Sequence, residues 1–374
     1  MMIHRPIIGL KIRAGVVCYL CVVLMGCTIL SPEPTPIPTA TPRPLPPLQF
    51  ESVAYGVFLL TDLEFLPNGD LLATEQDGQL LRIGEFDQHT LIHQFDVSRG
   101  GFEDGLLGMA LDPDFAQNNL LYTHHIAPDA DGNPKVGQIT RHTLSGDSLE
   151  NSQVILELPA YAEQQWHFGG GLTFGPDGYL YMNFGDTNQP YLARDPQTPH
   201  AAVLRFTKDG EIPADNPFEA SLVYAYGLRN GFGLAWHPET QLLYSGENGD
   251  SCDDELNLIT KGADYGWGLH EFNVCPYPDD ATKPLKQWTP TISPTDVLFY
   301  TADLIPEFQN KLLMCAINTN HIHLIEISFD GGQVVTDDVV NVDGRDFFCQ
   351  AALAQGPDGW LYSSTKGEIF RIGR

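Results

Sequence analysis

The sequence predicts an all-β fold, a six-bladed β-propeller, and three observations carry that expectation. A turn phrase recurs as Phe65-Leu-Pro-Asn-Gly-Asp-Leu-Leu72, Phe174-Gly-Pro-Asp-Gly-Tyr-Leu-Tyr181 and Gln355-Gly-Pro-Asp-Gly-Trp-Leu-Tyr362, with looser copies at Leu111–Phe115 and Trp236–Thr240. Proline presets φ at the first turn position and glycine supplies positive φ, so each phrase is a hairpin between two apolar strands. The motif prolines Pro67, Pro113, Pro176, Pro238 and Pro357 lie 46, 63, 62 and 119 residues apart. The last gap holds two units, and Lys311–Ile317 with Ile322–Ile327 supplies strands for the missing one. Units of about 50–60 residues, each a few short strands, are the mark of propeller blades. No long stretch carries a helical period.

The folded part begins late. Arg5, Lys11 and Arg13 open the chain, and an apolar run from Ala14 to Met25 follows. That run is too short to span a bilayer but suits a signal peptide. It ends in Leu24-Met25-Gly26-Cys27, which resembles a bacterial lipobox, so Cys27 is the expected site of lipidation. Ser31–Leu48 has proline at nearly every second or third place, which makes a semi-rigid extended spacer. The expected organisation is a signal peptide over 1–26, a lipid-anchored linker over 27–48 and the propeller over 49–374. The protein is then exported, at the cell surface or in the periplasm, and tethered to a membrane through Cys27.

Charge narrows the partners. With 20 Lys and Arg against 48 Asp and Glu, the chain carries a formal charge of −28, and −31 once the three cations before Cys27 are removed. Such a surface repels nucleic acid and anionic headgroups, leaving calcium and neutral small molecules as partners. Beyond the anchor lie Cys252, Cys275, Cys315 and Cys349. An even number in an exported chain points to two disulfides, and spacing favours Cys252 with Cys275 and Cys315 with Cys349, among three possible pairings. Oligomeric state leaves no signal in the sequence.

Four segments exceed what a repeat requires: Asp104–Phe115, His167–Phe174 leading into Gly185-Asp186, Tyr224–Gly231, and Glu247–Asp250 followed by Asp253–Leu258 and Gly262–Trp267. Their phrases GLLG, HFGG, YGLRN and DDELNLITKGADYGW, in this order, resemble the glucose/sorbosone dehydrogenase family. The likeness runs from about Leu63 to Ile372. It implies oxidation of a sugar by hydride transfer to pyrroloquinoline quinone (PQQ), with calcium polarising the quinone. His167 stands where the family has its general base, and a neutral imidazole suits that task near pH 7. Arg229 and Asn230 match the pair that touches cofactor and substrate. Gly249 and Asp250 match backbone carbonyl positions that hold the cofactor's calcium, Asp250 replacing the usual proline. Glu255 and Tyr265 fall where some members hold a second calcium, and oxygen donors suit that cation. The acidic run Asp253–Glu255 reads equally well as a solvated loop.

This sequence departs from the family at the cofactor's carboxylates. Two arginine positions before the last turn phrase hold Cys349 and Ala351, a lysine position holds Asn318, and Glu103 replaces a glutamine beside the cofactor. A tricarboxylate binds best to arginine forks, so these changes weaken the expected PQQ site. Two alternatives stay open: a non-catalytic propeller that binds calcium, a saccharide or a protein, and a calcium-dependent lactonase-like hydrolase.

Overall fold

The computed structural model describes residues 45–99, 101–161, 166–268, 281–342 and 344–374. The expected signal peptide, Cys27, most of the spacer and Cys275 lie outside them. Pro46–Arg374 forms a single compact unit.

Six four-stranded antiparallel sheets follow one another among the described residues. The first blade is Leu60–Phe65, Leu71–Glu75, Gln79–Arg82 and Thr90–Gln94. The second spans Leu106–Leu111, Leu120–Pro128, Pro134–Ser145 and Ser148–Pro159. The third has Leu172–Phe174, Leu180–Phe184, Ala202–Phe206 and Val223–Tyr226; the fourth has Gly231–Trp236, Leu243–Glu247, Asp254–Ile259 and Lys286–Trp288. The fifth runs Pro294–Phe299, Leu312–Ala316, His321–Ile327 and Val334–Val339. The sixth takes three strands from the C-terminus, Leu353–Gln355, Leu361–Thr365 and Glu368–Gly373. Its outer strand comes from the other end of the domain. Gln49–Tyr55 pairs antiparallel with Glu368–Gly373, Gln49 opposite Gly373 and Tyr55 opposite Glu368. This closure leaves neither end of the ring with an unmatched blade.

The recurring phrases join the first two strands of their blades. Leu66 N–H reaches Asp70 O at 2.8 Å across the first, and Gly69 there has φ +93°. Gly178 and Gly359 hold φ +80° and +81° at the same place.

The core lies between blades. Leu72, Leu80 and Ile92 of blade one pack with Leu106, Met109 and Leu121 of blade two. Tyr122 and Ile139 meet Leu180, Met182 and Phe184 across the next junction. Similar clusters fill the third to fourth, fourth to fifth, fifth to sixth and sixth to first junctions. Second strands are therefore covered on both faces, and Leu71–Glu75, Leu180–Phe184, Leu243–Glu247 and Leu312–Ala316 are buried throughout. Leu312–Ala316 reads as an apolar run without alternation for that reason, while the other three carry buried polar residues such as Glu75, Asn183 and Glu247. The expected Cys315–Cys349 disulfide is present, tying the second strand of blade five to the segment entering blade six. Cys252 is also disulfide-bonded.

Candidate functional site

In an antiparallel pair, the start of the first strand and the end of the second lie at the same end. Glu103 precedes the first strand of blade two, His167 that of blade three, and Arg229 and Asn230 that of blade four. Asp186, Asn248–Asp250 and Asn318 follow second strands, and Cys349 and Ala351 precede the first strand of blade six. Segments remote in sequence thus share one end of the propeller.

His167 is the centre of the hydrogen bonding there. Its Nδ1 lies 2.7 Å from Oδ1 of Asp186, and both residues are buried. Asp186 also accepts the Asn188 N–H at 2.7 Å and the Trp267 Nε1–H at 2.8 Å, so its carboxylate cannot turn away. Among the described residues, His167 Nε2 has no partner. The His167 backbone has φ +65°, a left-handed conformation that costs a non-glycine residue about 1–3 kcal/mol. Two bonds hold it: its N–H donates to Glu103 Oε2 at 2.7 Å, and its carbonyl accepts the Thr187 N–H at 3.0 Å. Gly185 permits the approach, since a Cβ there would lie 2.2 Å from His167 O.

Glu103 joins two blades. The Oε2 that takes the His167 N–H also accepts Asn230 Nδ2–H at 2.9 Å, and Asn230 Oδ1 accepts the Gly169 N–H at 3.1 Å. Glu247 lies beneath this pair, its Oε1 accepting the N–H groups of Arg229 and Asn230. Its Oε2 is buried without a partner, and burial pushes the carboxyl up to about 8. Arg229 donates from Nη1 to Asn248 O at 3.1 Å, approaches Asp250 at 3.5 Å and covers the Trp267 ring. Its Nε is buried and unpartnered.

The acidic run is not solvated. Asp253, Asp254 and Glu255 are 9%, 1% and 2% exposed. Asp254 accepts the N–H groups of Gly249, Ile292 and Ser293 at 2.8, 2.6 and 2.6 Å, fastening the loop after blade four to the entry of blade five. Glu255 takes bonds from Asn257 and Gln287, and burial raises its carboxyl to about 7. The Tyr265 hydroxyl donates to Leu258 O at 2.5 Å and accepts the Thr260 N–H at 3.0 Å. Around Gly249 the loop is wound tightly: a Cβ would meet Cys252 O at 2.1 Å and Asp253 O at 2.6 Å. Only glycine fits so close an approach of backbone to backbone. Among the described residues, no three His, Cys, Asp or Glu side chains converge as a metal site.

Along the axis runs a cavity of about 780 Å³, lined near this end by Phe102, Glu103, Asn248 and Ala351. The wall where family cations were expected is neutral: Cys349 is buried in its disulfide and Asn318 uses its N–H on Ile292 O. Asp186 and Glu247 lie within distinctive motifs that assign neither a role in the sequence; Gly185 before Asp186 is the signal for the first. His124 and His125 lie in blade two, His124 Nδ1 3.5 Å from Gly170 O, and burial lowers them to about 3 and about 4.

A family model described as Glucose / Sorbosone dehydrogenase matches residues 60–372. An uncharacterized protein of Synechocystis is 31% identical over 347 residues, covering 83% of this chain and 82% of its own. The aldose sugar dehydrogenase YliI of Escherichia coli is 29% identical over 340 residues, covering 83% and 88%. The solved PQQ-bound form of an aldose sugar dehydrogenase from Streptomyces coelicolor matches with a TM-score of 0.72 at 26% identity, over 87% of this chain and 98% of that one.

Proposed function

The chain belongs to the glucose/sorbosone dehydrogenase family, and on that premise we propose that it oxidises a hydroxyl of an aldose sugar with PQQ as acceptor and His167 as general base. The observation that carries the reading is the His167–Asp186 contact of 2.7 Å. A carboxylate on Nδ1 keeps the proton on that nitrogen, so Nε2 presents a lone pair. Nε2 takes the hydroxyl proton as the carbon gives up its hydride, and Asp186 stabilises the imidazolium that forms. Glu103 and Thr187 fix the backbone that aims the ring.

The residues present fit the cofactor in part. The unpartnered Nε of Arg229 offers a buried cation to an anionic group, Asn230 stands beside it, and the backbone carbonyls of Gly249 and Asp250 would hold calcium. When bound, PQQ supplies the two-electron acceptor, and calcium polarises its carbonyl. Neutral Asn318, Cys349 and Ala351 contribute no cation, so affinity is low for the family. The reading extends to place: a lipid on Cys27 and the proline-rich spacer would hold the domain off a membrane outside the cytoplasm.

The test is a titration of the purified protein with PQQ and calcium, followed by dye reduction with aldoses. Saturable binding and turnover that vanishes in His167→Ala support the reading. No binding at high cofactor concentration overturns it and turns the search to calcium and glycan ligands.

A further inference from the structure

Two large aromatic rings stand in the open beside the site. Phe102 is 73% exposed, although rings of this size ordinarily bury most of their surface, and Trp166 beside it is 42% exposed. They are stacked on each other, ring centroids 4.7 Å apart and planes 17° from parallel. Each immediately precedes a site residue, Phe102 before Glu103 and Trp166 before His167. The 2.7 Å bond from His167 N–H to Glu103 joins the two segments one residue beyond the rings. Further bonds pin the backbone at each ring. Gln76 Nε2 donates to Phe102 O at 2.7 Å, and Asn188 Nδ2 to Trp166 O at 3.4 Å. The rings are thus presented by fixed backbone, and Phe102 also lines the axial cavity.

We propose that Phe102 and Trp166 form a stacking platform for the pyranose ring of the substrate, with Glu103 as the acceptor for one of its hydroxyls. A pyranose has an apolar C–H face and a rim of hydroxyls. The electron-rich face of an aromatic ring takes such C–H groups, and a polar group beside it fixes orientation. Glu103 is placed for that second task. Both of its protein contacts use Oε2, and Oε1 has no partner among the described residues. A sugar lying on the rings and donating to Oε1 is within one residue of the His167 segment. Glu103, which adds negative charge beside an anionic cofactor, gains a reason to be an acid: a carboxylate accepts a hydroxyl more strongly than an amide does.

This proposal rests on the sugar-oxidation reading for its ligand class, and its test separates the two. Methyl β-D-glucopyranoside, which has no free anomeric hydroxyl, reports binding to the full chain by saturation-transfer NMR without turnover. The double variant Phe102→Ala/Trp166→Ala is expected to cut saturation of the ring C–H protons roughly fivefold and to raise the KM for glucose by a similar factor. Trp166→Phe keeps a ring and is expected to keep most of both. Melting temperature is expected to hold, because both rings are solvent-exposed. Unchanged saturation transfer and KM in the double variant overturn the platform. A rise in KM confined to the dye also overturns it and gives the rings to the electron acceptor. Failure of the unsubstituted chain to reduce dye, with saturation transfer intact and ring-dependent, sinks only the dehydrogenase reading.

Discussion

Nδ1 of His167 and Oδ1 of Asp186 lie 2.7 Å apart, with Asp186 held in turn by the Asn188 N–H and the Trp267 indole. A carboxylate so fixed selects the tautomer of the ring that faces it. In Asp186→Asn the amide can donate to Nδ1, which puts the proton on Nε2 and removes the lone pair. The expected result is a loss of about 10²–10⁴ in kcat with sugar binding retained. Steady-state kinetics beside the glycoside binding assay check it, and a kcat within threefold of the parent would remove His167 from the base's role.

Cofactor affinity follows from the neutral wall. Ala351 lines the axial cavity at the site end, where the family carries an arginine. Ala351→Arg is expected to tighten PQQ binding by about tenfold or more, one charge-assisted hydrogen bond being worth about 1.5–3 kcal/mol. Isothermal titration measures it. Equal affinity in parent and variant would show that the carboxylates are not seated against this wall.

What the sequence made legible was local. Pro-Asp-Gly turns at Pro176 and Pro357 declare themselves because the same residues that form the phrase set its dihedrals. The pairing of Gln49–Tyr55 with Glu368–Gly373 has no such signature, since the partners are some three hundred residues apart and neither is unusual alone. Site residues divide in the same way. His167, Arg229 and Asn230 sit in distinctive phrases, whereas the work of Glu247 depends on a buried carboxylate meeting two N–H groups from another strand. The acidic run Asp253–Glu255 misleads for a related reason: charge in sequence suggests solvent, and only the fold shows three carboxylates turned inward and hydrogen-bonded.

Stability draws on the bridge between Cys315 and Cys349, which closes a loop with a sequence separation of 34. Restricting the unfolded chain over that length is worth about 3–4 kcal/mol. Cys349→Ser is expected to lower the denaturant midpoint accordingly, with the slope rising if the unfolded state expands. An unchanged midpoint in the variant, with the parent protein oxidised, would remove the bridge from the stability of the propeller.

The proposed attachment rests on Cys27, a thiol outside the described residues. Cys27→Ser removes the atom that would carry the lipid, and the variant is expected to leave the membrane fraction for the soluble exported fraction. Fractionation with immunoblotting reads the outcome. Retention in the membrane would mean that the apolar run itself, uncleaved, is the anchor.

The axial cavity makes stability depend on pH. Asp62, Glu64 and Asp296 line it together. Asp62 accepts the Met109 N–H from blade two at 2.7 Å, and Asp296 accepts the Leu353 N–H from blade six at 2.7 Å. Burial raises Asp62 to about 6; burial and then the Asp62 charge raise Asp296 to about 8. Glu64 is also raised well above its ordinary value, by burial first and then by those two neighbours. Unfolded, all three titrate near pH 4. Between about pH 4 and 8 the folded chain therefore binds more protons than the unfolded one, and stability falls as pH rises through that window. Glu64→Gln keeps the shape and removes one charge. Its melting temperature is expected to exceed the parent's by about 2 °C at pH 8 and to equal it near pH 4, where the parent's cavity is already protonated. A gain of the same size at both pH values would mean that packing, and not the crowding of three carboxylates, sets the difference.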